Sequence, residues 1–338
     1  MEIKLPTKIR GRPKAGQREA YLAELELMAS QIRDIAKSAR QKASSRGWCY
    51  LLEGFGVINK SEFDDCEGFI NEARKLGILP IDFVLEEVAR SFDGLETIDW
   101  REPKQFLVDY LEGAKEVYSY YEGVSFWEAQ PVYIQMLVEK IDLKQLFRNI
   151  TRKYHIPIAT SRGWYSILQR SEMAKRFKFW EERGKAPVLL YCGDHDPTGL
   201  QISEALKSNF WDITKGTKWE PTDLIVDRFG LNYDLIMEAD LTWIDNLISA
   251  SGRPPDLKKA FVRDYIAQYG ERKVEANALV IRPDLAEELV EGAILKYVPE
   301  DGFSKYEDAR MKKQGEVRQF QHKINLEPTL DDLIAELG

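Results

Sequence analysis

Residues 189–203, LLYCGDHDPTGLQIS, form an apolar run ending on two aspartates one residue apart, Asp194 and Asp196, followed by Pro197, Thr198 and Gly199. Carboxylates at i and i+2 of an extended loop face the same side, and hard oxygen ligands of this kind are what Mg2+ requires. The same stretch is also good turn and helix-start chemistry, with Asp196 placed to cap and Gly199 to allow a close turn. A third acid weighs towards a metal. Glu139 closes an earlier apolar run, PVYIQMLVEK at 131–140. If the two runs are neighbouring parallel strands, Glu139, Asp194 and Asp196 converge off their carboxyl ends, where open α/β sheets hold ligands. Carboxylates so close raise one another's pKa, and a cation relieves the repulsion. His195, between the aspartates, is expected to point away from such an ion.

The elements that must position these residues follow from the pattern around them. From 131 the chain alternates: PVYIQMLVE as strand, KIDLKQLFRNITRKY as helix, IPIAT as strand, SRGWYSILQRSEMAKRFKFWEERG as loop and helix, VLLYCG as strand and LQISEALKSNFW as helix. TDLIVDRFGL supplies a fourth strand. Such alternation predicts a parallel sheet with right-handed crossovers. Ahead of it, Leu22, Leu25, Met28, Ile32 and Ile35 mark one amphipathic helix over 18–43, and shorter helical patterns cover 46–53, 61–76 and 81–92. Short helices with glycine turns beside the basic arm KIRGRPKAGQ are what a helix-turn-helix or winged-helix unit looks like in sequence, as they are of any small helical domain. The expected organisation is a basic arm and winged-helix-like DNA-binding domain over 1–95, a connector over 96–130 that includes the aromatic-rich VYSYYEGVSFW, and an α/β domain with a C-terminal helical extension over 131–338.

Composition narrows the class. The 338 residues, 44% hydrophobic and 31% charged, suffice for two globular domains. A net charge of −8 excludes a uniformly basic nucleic-acid coat, yet residues 1–46 hold eleven Lys or Arg against five Asp or Glu. Cys49, Cys66 and Cys192 have no paired spacing, and His155, His195 and His322 make no HExxH-type pair, so neither a disulfide framework nor a zinc site is expected. With no apolar stretch near twenty residues and no signal-peptide pattern at the N-terminus, a cytoplasmic, DNA-associated protein without a membrane partner is expected.

Glu139 at a strand end followed by GDHDPTG, with LVEK and IPIATSRGW in that order, resembles the Toprim domain. Within that superfamily the motifs look most like the A subunit of topoisomerase VI and the related meiotic break-forming transesterases, and closer still to short phage- and plasmid-type relatives. The resemblance spans residues about 40 to 300. It implies a winged-helix domain ahead of Toprim, with an Arg-x-x-Tyr-Tyr motif whose second tyrosine attacks DNA. RGWCY places Arg46 and Tyr50 at the matching spacing, while Cys49 stands where the family has its first tyrosine.

On that model Tyr50 is the nucleophile, assisted by Arg46 because a phenol has a pKa near about 10. Glu139, Asp194 and Asp196 hold Mg2+ or Mn2+, and Glu139 also serves as general acid and base. The implied activity is isomerase-class cleavage and rejoining of double-stranded DNA through a 5′-phosphotyrosyl link. The implied assembly is a homodimer in which the tyrosine of one protomer meets the metal site of the other. Any ATP-driven step belongs to a separate ATPase subunit, because no GxxxxGK[ST] motif occurs. Arg162, Lys175, Arg176 and Lys178 are candidates for DNA phosphate contacts, although a solvated helix face explains the last three equally well. Two other readings stay open: a Toprim nuclease using metal-activated water, with Tyr50 structural, and a non-catalytic DNA-binding protein.

Overall fold

The computed structural model describes every residue except 1, 2, 10, 12, 13, 15, 39–41, 86–93, 162–165, 250–252 and 338. The chain divides into two compact units, Met1–Glu86 with Val132–Lys296, and Glu87–Pro131 with Tyr297–Gly338.

The first unit opens with α1 (Gln17–Ser38), α2 (Ser45–Gly54) and α3 (Phe63–Lys75). The apolar spacing read in the sequence becomes a shared core: Leu25, Met28 and Ile32 of α1 meet Trp48 and Leu52 of α2 and Phe63 and Ile70 of α3. Ser44 caps α2 by accepting the Gly47 N–H. Gly77 ends α3 at φ 72°, with the Gly77 N–H donated to Arg74 and the Ile78 N–H to Ala73, a turn that needs the left-handed region. The helix expected over 81–92 does not begin where the sequence suggested. Residues 81–85 form turns, held by the Phe83 N–H on the Pro80 carbonyl and the Leu85 N–H on that of Ala43, and 86–92 lie outside the described residues. Among the described residues the regular elements of this N-terminal part are all helical, with no β-hairpin of the kind a winged helix requires.

After α4 (Pro103–Lys115), which belongs to the second unit, the alternating region follows: β1 (Val132–Val138), α5 (Ile141–Leu146), α6 (Arg148–Lys153), β2 (Ile158–Thr160), α7 (Ile167–Glu181), β3 (Ala186–Cys192), α8 (Pro197–Trp211), α9 (Thr214–Thr217) and β4 (Ile225–Gly230). The four strands form one parallel sheet in the order β2-β1-β3-β4. Every residue of β1 and all but the first of β3 are buried, the continuous apolar pattern of parallel strands covered on both faces. The register that matters pairs Val138 with Cys192, so the acidic residues after both strands leave the sheet at one edge. Helices α10 (Tyr233–Glu238), α11 (Ala260–Tyr269) and α12 (Pro283–Leu295) complete this unit.

The stretch expected to be a connector instead contributes α4 and two 3-10 turns, Val117–Tyr120 and Phe126–Ala129, to the second unit. Its partners there are α13 (Gly302–Lys323) and α14 (Leu326–Leu337), the segment expected to extend the sheet domain. Phe126 of the aromatic-rich passage packs 5.6 Å from Tyr306, and the Gln130 side chain donates to the Gly302 carbonyl at 2.8 Å. Among the described residues no helix is long and apolar enough to cross a membrane.

Asp142 on α5 locks the start of α2 to the sheet domain by accepting from the Ser44 N–H at 2.7 Å, and a Cβ at Gly47 would sit 2.5 Å from its Oδ2. In a free helix Gly→Ala stabilises by about 1 kcal/mol. Here Gly47→Ala is expected to reverse that sign and cost about 1–3 kcal/mol in urea denaturation. A stabilised variant would mean that α2 is not locked at this point.

Candidate active site

The site grows from the pairing of β1 and β3. Beyond the last paired residues the Glu139 N–H still donates to the Cys192 carbonyl at 3.0 Å, and Glu139 Oε2 accepts the Asp194 N–H at 2.9 Å. The DHDPTG segment then turns into α8, with Asp196 as its N-cap accepting the Gly199 N–H at 2.6 Å. Both glycines of the motif are dictated by close approach. A Cβ on Gly199 would lie 2.2 Å from the Asp194 carbonyl oxygen, and one on Gly193 would lie 2.8 Å from Glu139 Oε2. Arg228 of β4 holds the loop from behind, its guanidinium donating to the carbonyls of Gly193 at 2.9 Å, Asp194 at 2.7 Å and Gly199 at 3.1 Å.

His195 turns away from the acids. Its Nδ1 lies 3.0 Å from the Leu231 carbonyl, and its ring is surrounded by Tyr233, Trp243, Tyr265 and Tyr269. Burial lowers its pKa to about 4, so it stays neutral. Its backbone pairs both ways with Val274. In the extended segment Lys273-Val274-Glu275 the flanking residues therefore share the side opposite Val274, and both join the acidic cluster.

Glu275 and Glu53 raise the number of carboxylates in the cluster to five, and Lys60, Lys140 and Lys273 lie among them. Lys140 Nζ sits 2.8 Å from Asp194 Oδ2 and also pairs with Glu275. Lys273 lies 3.1 Å from Glu275, and Lys60 lies 2.9 Å from Glu53 and 3.4 Å from Glu275. The other oxygen of Asp194 accepts the Ala276 N–H at 2.8 Å. Glu53, Asp194, Lys273 and Glu275 are buried and Tyr50, Glu139 and Asp196 half-buried, while the side chains of Lys60 and Lys140 are only 5% and 15% exposed.

The lysines do not compensate the acids evenly. Burial and the charges of Glu139 and Glu275 push the Asp194 carboxyl well above its usual range. Burial also raises Glu139 and Asp196, with each other's charge adding to the effect on Glu139. Glu275 is the exception: burial would raise it, but Lys140, Lys273 and Lys60 together hold it below the usual carboxylate range. Lys140 is the converse, losing charge stability to burial and regaining more from Asp194, Glu275 and Glu139, so that it stays an ammonium.

Tyr50 lies against this cluster in the same chain. Lys60 Nζ is 4.0 Å and Lys140 Nζ 4.2 Å from its ring centroid, and Phe63 packs edge-on at 5.2 Å. Burial raises the phenol pKa; Lys140 and Arg46 pull it down, and Glu275 and Asp194 push it up. Arg46, one turn earlier on α2, pairs with Glu67 at 3.0 Å and interacts with the Tyr50 phenol. A shallow groove lined by Leu51, Phe55, Thr242 and Arg282 leads to Tyr50 and Glu275. The structure thus brings Arg46, Tyr50, Glu139, Asp194 and Asp196 together. No second protomer is needed to place the tyrosine beside the acids.

The remaining sequence candidates fall elsewhere. Lys175 pairs with Glu172 at 2.9 Å, Arg176 donates to Gln135 at 2.9 Å and Lys178 lies 3.9 Å from Glu182, so each has a partner within the fold. Arg162 lies outside the described residues. Cys49 is fully buried, its thiol 3.5 Å from the Phe63 carbonyl, a core position with no room for a tyrosine. Sequence reasoning missed Lys140, Lys273, Glu275, Lys60, Glu53 and Arg228. Only the LVEK run and the alternation in KVE pointed to any of them. Among the described residues no three His, Cys, Asp or Glu side chains stand ready to hold a metal ion, and the cations among the acids are the ammonium groups of Lys60, Lys140 and Lys273.

Raised carboxyl values have a stability consequence. At pH values above the unfolded reference of about 4, the folded chain retains protons on Glu139, Asp194 and Asp196 that the unfolded chain has released, so stability rises as pH falls from neutral towards that reference. Glu275 acts oppositely, and its contribution is lost only as pH falls through its lowered folded value. Asp194→Asn keeps an acceptor for the Ala276 N–H and removes the charge. It is expected to raise the urea midpoint at neutral pH in metal-free buffer and to flatten the gain on acidification; a lowered midpoint would contradict this electrostatic account.

Comparison with known proteins adds no relative to this picture: no family model, no curated protein and no solved structure matches the chain.

Proposed function

We propose that the chain is a divalent-metal-dependent DNA transesterase similar to the A subunit of topoisomerase VI, built from a helical DNA-binding part, without the β-hairpin of a winged helix among its described residues, and a Toprim-like sheet. The observation that carries this reading is the placement of Tyr50. Its ring rests on the Lys140 ammonium, which itself pairs with Asp194. A nucleophile candidate and the acidic edge of a parallel sheet, 144 positions apart in the sequence, are thereby neighbours.

Carboxylates are the hard oxygen donors that Mg2+ or Mn2+ takes, although no three of the described acids are grouped to hold an ion. Burial raises the carboxyl values of Glu139, Asp194 and Asp196, and the charge of a bound ion would lower them. Glu139, Asp194 and Asp196 would hold the ion, which when bound neutralises the scissile phosphate and polarises it. The chain's own residues do the rest. Arg46 and Lys140 favour the phenolate against burial. Glu139, with a carboxyl value displaced towards neutrality, takes the phenol proton and returns it to the leaving oxygen. The Tyr50 Oη–P bond forms as the P–O3′ bond breaks, leaving a 5′-phosphotyrosyl link and a free 3′ hydroxyl. Reversal of the same step rejoins the strand. Double-stranded cutting calls for a homodimer, and strand passage for a separate ATPase subunit.

One observation favours a second reading, hydrolysis by metal-activated water. Both lysines lie over the face of the Tyr50 ring, and the net effect of its surroundings raises the phenol pKa, as for a packed structural aromatic.

Supercoiled DNA incubated with protein and Mg2+ or Mn2+ and resolved on a denaturing gel separates the readings. Tyr50→Phe is expected to lower cleavage by about 10³-fold or more, as for loss of a nucleophile. Retained metal-dependent cutting by this variant identifies the nuclease, and salt-sensitive binding without cutting by the wild type identifies a DNA-binding protein. Because Tyr50 stands beside its own chain's acids, mixing Tyr50→Phe with Asp194→Asn protein is expected to restore no activity. Recovery in the mixture would mean that the working site is shared between protomers.

A further inference from the structure

We infer that the second unit joins two copies of this chain, through the apolar faces that α4 and α14 leave uncovered. Such a pairing stands apart from the transesterase reading, which calls for two chains without saying what joins them. Among its described residues, the apolar side chains this unit buries are Phe126, Trp127, Val298, Tyr306 and Leu330. None belongs to α4. Yet α4 is amphipathic: Phe106, Leu107, Tyr110, Leu111 and Ala114 recur at the spacing of one helical face, opposite Gln105, Asp109 and Glu112. The rings of Phe106 and Tyr110 stack at 6.5 Å, which makes them one surface. α14 lies beside this helix, with Lys115 Nζ 2.6 Å from Asp331, and its own stripe of Leu326, Leu330, Leu333 and Leu337 is fully buried only at Leu330.

The uncovered surface has the size of an interface. Trp100, just ahead of α4, is 85% exposed and Tyr110 71%, with Phe106, Leu107 and Leu333 between 43% and 46%. At about 200 Å2 for a whole aromatic side chain, the three aromatics alone expose about 400 Å2. The two leucines bring the apolar surface to about 500 Å2, which matches the apolar share of the about 800 Å2 that each partner buries in a standard interface, homodimer interfaces being about 65% apolar. Exposed apolar surface of this extent marks an interaction site. Two identical helix pairs meeting about a twofold axis present matched stripes to each other and close a four-helix bundle, so the pair buries what a single layer of two helices leaves open. The rim decides against other large occupants. α14 carries Glu327, Asp331, Asp332 and Glu336 and no basic residue, which repels nucleic acid and an anionic lipid surface.

Sedimentation velocity of the full chain at micromolar concentration is expected to show a dimer. Tyr110→Glu places a charge within the surface and is expected to weaken self-association at least about thirtyfold, as loss of an interface anchor does. Leu27→Glu, at an exposed apolar position of α1 in the first unit, is expected to leave the dimer unchanged. A monomeric wild type overturns the inference and leaves these faces to a different protein. A dimer that Tyr110→Glu leaves intact, or that Leu27→Glu dissolves, overturns it as well. A dimer that cuts no DNA keeps the inference and removes the transesterase reading. Should Tyr110→Glu fail to fold, cross-linking supplies the answer. Cys49, Cys66 and Cys192 are buried, so a short bismaleimide is expected to join two chains of Tyr110→Cys and not two chains of Leu27→Cys. Equal cross-linking at the two positions, or none at either, overturns the inference.

Discussion

Five carboxylates drawn partly or wholly out of water cannot all stay ionised without cations beside them, and the candidate site is organised around that constraint. Glu275 is charged because three lysines surround it, and those lysines come from three different parts of the chain: Lys60 ahead of α3, Lys140 after β1 and Lys273 in the segment paired to His195. Charge compensation therefore also serves as fastening. It ties the helical N-terminal part to the sheet edge, with Ser44 and Asp142 adding a second point of attachment. Tyr50 is positioned as a consequence, since the ammonium groups that satisfy the acids also pack on its ring.

Burial nonetheless leaves the carboxyl values of Asp194, Glu139 and Asp196 raised, even with the lysines beside them. Displaced pKa values that arise from burial and a specific set of neighbours are a mark of functional sites, although structural ion-pair networks produce them as well. Beside this network stand a tyrosine and an arginine one helical turn apart, and two glycines let the backbone of the acidic loop pass close to Glu139 and fold back on Asp194.

The parallel sheet was legible in the sequence because its strands are continuous apolar runs separated by helical periods, and the neighbouring of β1 and β3 turned a conditional argument about Glu139 into a distance. Asp194 and Asp196 were legible as a pair, but their division of labour was not. Asp196 spends one oxygen capping α8, and Asp194 is shared between a backbone amide and Lys140. Lys140, Lys273 and Glu275 escaped notice because a lysine or glutamate in sequence reads as solvated surface; only the bridge between His195 and Val274 turns the KVE alternation inward. The division into units was also hidden. Residues 96–130 and 297–338 pair across a long separation, and no local pattern reports such a pairing. The helix expected after Pro80 does not start at residue 81 for a related reason: Ala43, distant in sequence, captures the Leu85 N–H.

The account stands or falls on whether Tyr50 becomes bonded to DNA. The most direct measurement is mass spectrometry of the peptide left on DNA 5′ ends after protein, DNA and Mn2+ are denatured together and digested with protease. The account predicts a peptide from α2 carrying a nucleotide on Tyr50. A DNA-linked peptide from any other tyrosine, or cleaved DNA with free 5′ phosphates, would contradict it.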